Sequence, residues 1–167
     1  MMSKEQFISY LESNQESLRR FLIVLCCGDK MTADDIAQDA MLKAWMKIST
    51  FDEKSKFSTW IFKIAYNTYL DFRKSYWNKN IENIDENIDN ERFISEYSTS
   101  ESFLNDKLYA AIDKLSTWER SAVLLYYLEE KPIKEISKIL EMPQSTIMSH
   151  LFRARKHLKS LLKNDIL

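Results

Sequence analysis

The segment Ile133–Leu162, IKEISKILEMPQSTIMSHLFRARKHLKSLL, predicts two helices of unequal length. Apolar residues recur at every third or fourth position from Ile133 to Leu140, which indicates a helix of about two turns. The triplet Glu141-Met142-Pro143 interrupts it, and the proline suits the first turn of a following helix. That longer helix is predicted to bury an apolar stripe composed of Ile147, Leu151, Ala154, Leu158, Leu161 and Leu162.

The opposite face of the long helix is polar and basic. It carries Gln144, Ser145, Thr146, Ser149, His150, Arg153, Arg155 and Lys156. A short helix, a tight break and a long helix are the layout of a helix-turn-helix, whose second helix enters the major groove of DNA. There, short polar side chains reach base edges and Arg or Lys reaches phosphates. A solvated helix face would also explain a basic run, so both interpretations stay open at this point.

A second helical unit is predicted upstream. Thr32-Ala33-Asp34-Asp35 resembles a capping-box helix start, and a carboxylate is favourable near that end of a helix. The expected buried stripe is Ile36, Ala37, Ala40, Met41, Ala44, Trp45 and Ile48, which leaves Asp35, Gln38, Asp39, Leu42 and Lys43 outside. Another helix is predicted from Trp60, burying Ile61, Ile64, Ala65, Thr68, Phe72 and Tyr76, and a third over Phe7–Cys27. Three such helices make a small bundle.

The segment between the two units is acidic. Residues 78–106 contain two Lys or Arg and eight Asp or Glu, whereas residues 107–167 contain 11 and seven, and the whole chain has a net charge of −1. Residues 78–102 are rich in Asn, Asp, Glu and Ser, which predicts an extended linker. Downstream, Ser116-Thr117-Trp118-Glu119 predicts a capping box. We therefore predict an all-α protein: a bundle over 1–77, an acidic flexible linker over 78–104 and a helix-turn-helix unit over 105–167.

Composition excludes several classes of protein. One glycine and two prolines cannot punctuate a β-sandwich or barrel, and a single glycine cannot build a Gly-rich phosphate cradle. The N-terminus lacks the layout of a secretory signal, and no run approaches the ~20 apolar residues of a membrane span. Cys26 and Cys27 are adjacent, which suits neither an ordinary disulfide framework nor a metal motif. We expect two buried thiols in a reducing cytoplasm.

Aromatic and basic residues alternate between Phe51 and Trp77, a pattern that suits single-stranded DNA, on whose bases aromatic rings stack. Lys63 and Asn67 share one exposed face of that helix, and an amide there can read a base edge. For any single ring a core position is favoured, and helical spacing assigns Phe72 and Trp60 to the inside. Enzyme interpretations are weak, and no catalytic set or cofactor is predicted. No metal site is predicted either, because Asp34, Asp35 and Asp39 lack a nearby histidine. His150 and His157 lie two turns apart without a further ligand, so we do not predict zinc.

Two blocks of sequence together resemble one family. Residues 33–45, ADDIAQDAMLKAW, and residues 57–67, FSTWIFKIAYN, with Asp71 and Arg73, are similar to domain two of extracytoplasmic-function (ECF) sigma factors. Glu135-Ile136-Ser137 and residues 145–156, STIMSHLFRARK, with Leu158, look like their domain four. The resemblance spans nearly the whole chain, and the acidic linker falls where the family has one.

The resemblance implies a promoter-specificity subunit of bacterial RNA polymerase without catalysis of its own or a small-molecule substrate. It implies that the clamp of the largest polymerase subunit binds Asp35, Gln38, Asp39 and Leu42. The −10 promoter element would be opened and read as a single strand by Lys56, Phe57, Trp60, Lys63, Asn67 and Arg73. Trp60 could instead support that loop from the core. The −35 element would be read by Gln144, Ser145, Thr146, Ser149, His150, Arg153, Arg155 and Lys156.

The family's usual regulator is an anti-sigma factor, often anchored in the membrane, so a cytoplasmic chain held at the inner face of the membrane is implied. The family commonly has Gly, Lys and Arg where this chain has Ser145, Met148 and His150, and the loss of two cations weakens phosphate contact.

Two alternatives differ in class: a helix-turn-helix regulator that binds duplex DNA unaided, and a helical protein-interaction module. Whether the two units dock on each other when free is left open.

Overall fold

The computed structural model describes residues 1–80 and 103–166, and every regular element within those ranges is helical. The first half contains α1 (Lys4–Leu25), α2 (Lys30–Met46), a 3-10 turn (Ile48–Thr50) and α3 (Phe57–Asn80). The second half contains α4 (Phe103–Asp113), α5 (Thr117–Val123) with a π-helical turn after it (Leu124–Leu128), α6 (Ile133–Leu140) and α7 (Gln144–Ile166). The predicted all-α fold class is confirmed.

The starts of the first three helices differ from the prediction. α1 begins at Lys4 rather than Phe7, because Ser3 and Gln6 form a reciprocal capping box. α2 begins at Lys30, since the Asp29 carboxylate accepts hydrogen bonds from both the amide and the hydroxyl of Thr32. The predicted start at residues 32–35 is therefore wrong: Thr32 lies inside the first turn. α3 begins at Phe57, three residues before the predicted start at Trp60.

The helix-turn-helix segment agrees closely with its prediction. Ser116 and Glu119 form the predicted capping box of α5. α6 ends at Leu140, and Glu141 adopts a left-handed conformation (φ 55°) that turns the chain into α7. Pro143 precedes α7 instead of occupying its first turn, and its carbonyl accepts from the Thr146 and Ile147 amides. On α7 the inner residues Ile147, Leu151 and Ala154 are buried, and Leu158, Leu161 and Leu162 are half-buried.

Three aromatic residues predicted inside lie near or at the surface. In α2, Ile36, Ala37, Ala40 and Ala44 are buried as expected, but Trp45 is about half exposed, with its ring edge against Phe7. In α3, Phe72 is 40% exposed and Tyr76 is 51% exposed. The reason is that α3 continues beyond the elements packed on it, so that residues 71–79 are all exposed. Helical periodicity continues over this end of α3, although its side chains remain exposed to solvent.

The two halves pack against each other through a continuous hydrophobic core. The buried Arg120 side chain of α5 lies at the centre of this contact and donates only to backbone carbonyls: Leu25 at the end of α1, and Ile112, Asp113 and Leu115 around the end of α4. The carbonyls at a helix C-terminus carry partial negative charge and lack intrahelical donors. One guanidinium therefore donates hydrogen bonds to carbonyls at the C-terminal end of a helix from each half.

Further polar contacts join the halves on either side of Arg120. The buried Tyr66 hydroxyl of α3 accepts a hydrogen bond from Ser121 at 3.3 Å. Arg20 of α1 forms a two-point ion pair with Glu129, whose side chain is only 4% exposed. The Lys131 ammonium stands 4.4 Å from the centre of the Phe62 ring, and burial lowers the pKa of Lys131. In the structure, therefore, the two halves dock on each other in one packed arrangement.

The predicted acidic linker lies mostly outside the described residues. Its predicted first residues, 78–80, are instead the last residues of α3, and residues 103–104 begin α4, a helix the sequence reasoning did not identify. The boundaries of the two domains remain a prediction. No helix in the described ranges is long and apolar enough to cross a membrane.

Replacing Arg120 with Met is expected to lower the free energy of unfolding by about 3 kcal/mol, because it strands buried carbonyls at two helix ends without donors. Urea unfolding followed by circular dichroism measures the change. Arg19, which pairs with Asp34 at the surface, is the matched control: Arg19→Met should cost about 0.5 kcal/mol. Equal losses in the two variants would contradict the role given to Arg120.

Candidate nucleic-acid interface

The outer side of α7 forms a shallow groove, here termed the α7 surface, lined by Ser145, Met148, Ser149, Phe152 and Arg153. The sequence analysis placed Ser145, Ser149 and Arg153 on this face, noted Met148 only as a position where the family has a lysine, and did not select Phe152. These two are 57% and 66% exposed, although both are apolar. Apolar groups on a major-groove helix contact thymine methyl groups, so both suit a DNA-facing position.

Two of the predicted phosphate-binding arginines are oriented by neighbours. Arg155 donates from Nε to the Tyr127 hydroxyl at 2.6 Å, and its guanidinium lies over the rings of Tyr126 and Tyr127. Arg153 lies 3.1 Å from Nδ1 of His150. Burial, with the nearby Arg153 charge, lowers the pKa of His150, which favours a neutral ring at pH 7. The predicted set Gln144, Thr146 and Lys156 completes this end of α7, and Gln144 and Lys156 are exposed.

Four predicted polar residues lie on or next to α3: Lys56, Lys63, Asn67 and Arg73, here termed the α3 surface. In the packed arrangement its three cations contact the second half of the chain. Lys56 Nζ lies 2.5 Å from Glu135 Oε1, and Lys63 Nζ lies 2.8 Å from Glu141 Oε1. Arg73 donates to the hydroxyl of Thr117. Asn67 is half-buried.

The two aromatic residues assigned to the −10 element belong to a ring cluster. Phe57 is only 7% exposed, and its ring lies between 5.4 and 5.9 Å from those of Phe7, Tyr10, Phe51 and Trp60. Trp60 is half-buried and tilts against Phe51 at 5.1 Å. In this arrangement both rings support the loop before α3, and their contact with DNA stays a prediction.

The outer face of α2 combines acids with apolar side chains. The predicted residues Asp35, Gln38, Asp39 and Leu42 are all exposed. Met31 and Met46, which sequence reasoning did not select, are more exposed than Leu42. Asp39 pairs with Lys43 one turn later at 3.0 Å. Exposed apolar side chains next to charged ones are typical of a protein-binding face rather than a DNA-binding one.

The thiols and carboxylates do not form a metal site in the described part of the chain. Cys26 and Cys27 are unpaired and partly buried at the end of α1. Burial raises the pKa of Cys26 to about 12 and that of Cys27 to about 11. Both thiols therefore stay protonated and weakly nucleophilic at neutral pH.

This combination defines a helical DNA-binding protein with a helix-turn-helix and a second basic helical surface, and comparisons with known proteins give the family. Sigma-70 region 2 matches residues 10–79, and the family described as Sigma-70, region 4 matches residues 105–158. Together the two matches cover well over half of the chain, in the order found in sigma factors. The chain belongs to the sigma-70 family, in its ECF group.

Individual relatives agree with this assignment. The ECF RNA polymerase sigma factor SigM of Bacillus subtilis is 29% identical over 149 residues, which is 88% of this chain and 89% of the relative. The ECF RNA polymerase sigma-E factor of Escherichia coli K12 is 28% identical over 132 residues, 73% of this chain and 69% of the relative. The sigma factor RpoE from Bartonella quintana, solved with the anti-sigma factor NepR, has a TM-score of 0.79 at 25% identity, covering 95% of this chain and 98% of that one. CnrH, solved with the cytosolic domain of CnrY, has a TM-score of 0.73 at 21% identity, covering 98% and 91%, and shows the same fold.

Replacing Arg153 with Ala is expected to weaken binding of the chain to duplex DNA and to flatten its salt dependence. Loss of one phosphate contact lowers the slope of log K against log salt by about 0.9. Fluorescence anisotropy with a labelled mixed-sequence duplex at several salt concentrations measures that slope. Lys4→Ala, which removes one exposed charge from α1, is the control. A slope unchanged in Arg153→Ala would exclude this residue from the phosphate contacts.

Proposed function

We propose that this ECF sigma factor directs RNA polymerase to promoters by three separate surfaces: α2 binds the core enzyme, the α3 surface reads the −10 element, and the α7 surface reads the −35 element. The observation that carries the proposal is the presence of one basic helical surface in each sigma region, next to an acidic and apolar face that suits a protein partner. Sigma factors are specificity subunits rather than enzymes, and we infer no catalysis for this chain.

Core binding is assigned to Asp35, Gln38, Asp39 and Leu42. They lie on successive turns of one helix side, which presents a rigid strip to a partner. Exposed carboxylates suit a basic partner surface, and Leu42 supplies the apolar contact that charged groups alone lack. The partner is the clamp of the largest subunit of RNA polymerase.

The −10 element is assigned to Lys56, Lys63, Asn67 and Arg73, with Phe57 and Trp60 supporting or stacking on the strand. Lysine and arginine follow the backbone of a single strand, and the Asn67 amide can form hydrogen bonds with a base edge. Asn67 is half-buried, so neighbouring side chains restrict the positions that its amide can take. This arrangement suits reading a base that has left the duplex.

The −35 element is assigned to the polar and basic side of α7. Gln144, Ser145 and Thr146 begin the helix, where side chains reach base edges first. Ser149, His150, Arg153, Arg155 and Lys156 follow along the next turns, and the last three supply positive charge for phosphates. Met148 and Phe152 lie among them and are added to this set.

Regulation by an anti-sigma factor fits one relative, because the sigma factor RpoE of Bartonella quintana was solved with the anti-sigma factor NepR. We infer the same class of partner for this chain. A subunit of RNA polymerase works in the cytoplasm, and a membrane-anchored partner would hold the chain at the inner face of the membrane.

Transcription with purified core polymerase tests the function directly. Core enzyme is mixed with matched genomic DNA, with and without this chain, and transcript starts are mapped. A promoter-dependent set of starts that requires the chain is the expected result. A gel shift with the chain alone at physiological salt separates this from a regulator that binds duplex DNA unaided. Starts that do not depend on the chain would refute the sigma assignment.

The change Asp39→Arg is expected to weaken binding to core polymerase about tenfold, because it places a positive charge on an acidic docking strip. The fold should be unaffected, since Asp39 is exposed and its pair with Lys43 contributes little stability. Affinity is measured by competition with a labelled sigma factor, and helicity by circular dichroism. Glu12→Arg, an exposed acid on α1, is the matched control. Unaltered affinity would remove Asp39 from the docking surface.

The change Asn67→Ala is expected to reduce discrimination at one −10 base by about 1–3 kcal/mol, equivalent to roughly five- to 150-fold in relative promoter use. Holoenzyme transcription from a library randomised at the −10 element measures the preference. Ser75→Ala, an exposed position further along α3, is the control. If the variant kept the parental base preference, the reading residue would have to be sought elsewhere on α3.

A further inference from the structure

We propose that Glu135 and Glu141, here termed the acidic edge of α6, occupy the −10 DNA-binding surface of α3, so that the packed chain and single-stranded promoter DNA compete for the same cations. The inference rests on the proposed function of the α3 surface. In this arrangement the carboxylates of α6, the first helix of the helix-turn-helix, take the positions that DNA phosphates would occupy on the α3 surface.

The contacts that support this are specific to the proposed DNA-binding set. Lys56 pairs with Glu135 at 2.5 Å, and Lys63 pairs with Glu141 at 2.8 Å. Arg73, the remaining cation of the α3 surface, donates to the Thr117 hydroxyl. Every cation of the surface thus has an oxygen acceptor from the second half of the chain. Glu135 lies in the first turn of α6 and Glu141 is the residue that caps its C-terminal end, and α6 packs against α3.

The chemistry of the pairs explains the competition. A carboxylate and a phosphate both present anionic oxygens to a lysine ammonium, and an ammonium that already holds one has fewer donors for the other. A DNA strand that approaches α3 also meets the two negative charges of the acidic edge. Both effects lower its affinity in the packed arrangement.

The rest of the interface holds α6 in place without these pairs. The Arg120 bond to the Leu25 carbonyl, the Ser121 bond to Tyr66 and the pair of Arg20 with the buried Glu129 join the halves without involving either lysine. The Lys63–Glu141 pair is exposed at both ends, and the Lys56 side chain is 72% exposed although Glu135 is only 15% exposed. Pairs with an exposed partner are screened by solvent, so these two contribute less to the packing of the halves than the buried contacts do. Their main effect is on the charge available to DNA. Charge reversal, by contrast, places like charges in contact and opposes docking at this edge.

The test is the affinity of the full chain, without polymerase, for a fluorescein-labelled single strand of mixed sequence. The double variant Glu135→Lys/Glu141→Lys is compared with Glu12→Lys/Glu16→Lys, which makes the same change of net charge on exposed positions of α1. We expect the α6 variant to bind about fivefold more tightly than the α1 variant, because two phosphate-binding cations are released. Equal affinity of the two variants would overturn the competition.

A second comparison removes the charges without reversing them: Glu135→Gln/Glu141→Gln is measured against Glu12→Gln/Glu16→Gln. It keeps the inference testable if the charge-reversed variant does not fold. The expected gain is about threefold, and equal affinities overturn the inference here too. Failure of the proposed function is distinguishable. If the parental chain directs promoter-dependent transcription while the α6 variants gain no affinity, only the competition is wrong. If it directs none, the proposed function fails, and this inference fails with it.

Discussion

The packed arrangement depends above all on the guanidinium of Arg120, which is buried without a carboxylate bonded to it. Four backbone carbonyls from the ends of α1 and α4 and from the turn before α5 accept its hydrogen bonds. The ends of two helices meet there, and each contributes partial negative charge. Because one side chain satisfies both, the position of the second half relative to α1 is set by hydrogen-bond geometry as well as by apolar contact. The Tyr69 hydroxyl, which also donates to Leu25, strengthens this convergence from α3.

This arrangement has a consequence for how a sigma factor with nearly zero net charge works. The two proposed DNA-binding surfaces are each small and offer few cations to phosphates, so weak binding by the free chain is expected. Held together on polymerase, the surfaces gain from effective concentration on one promoter. In the packed chain the α7 surface faces outward, whereas the cations of the α3 surface are paired with α6 and α5. If both surfaces bind DNA as we propose, the halves are expected to move apart when the core enzyme binds.

Local signals were enough to predict the helix-turn-helix, because the Ser116 capping box, the break at 141–143 and the α7 stripe each depend on neighbouring residues. Periodicity failed for Phe72 and Tyr76, since it gives the side of a helix and not the point where packing partners end. The start of α2 was predicted too late, because Asp29 caps the helix by accepting hydrogen bonds from the Thr32 amide and hydroxyl. Met148 and Phe152 were not selected as binding residues, because apolar residues on a polar face fit neither the core nor the phosphate pattern. Contacts such as Arg20 with Glu129, 109 residues apart, leave no mark in single-sequence periodicity.

The distance between α3 and α6 in the free chain and in the polymerase-bound chain tests this account most directly. Spin labels are attached at Lys74→Cys and Lys138→Cys, two exposed positions, and Cys26→Ser and Cys27→Ser prevent background labelling. Pulsed electron paramagnetic resonance then measures the distance between the labels. The account predicts one narrow, short distance for the free chain and a longer one in the complex with core enzyme and promoter DNA. A broad distribution in the free chain, or the same short distance in the complex, would contradict it.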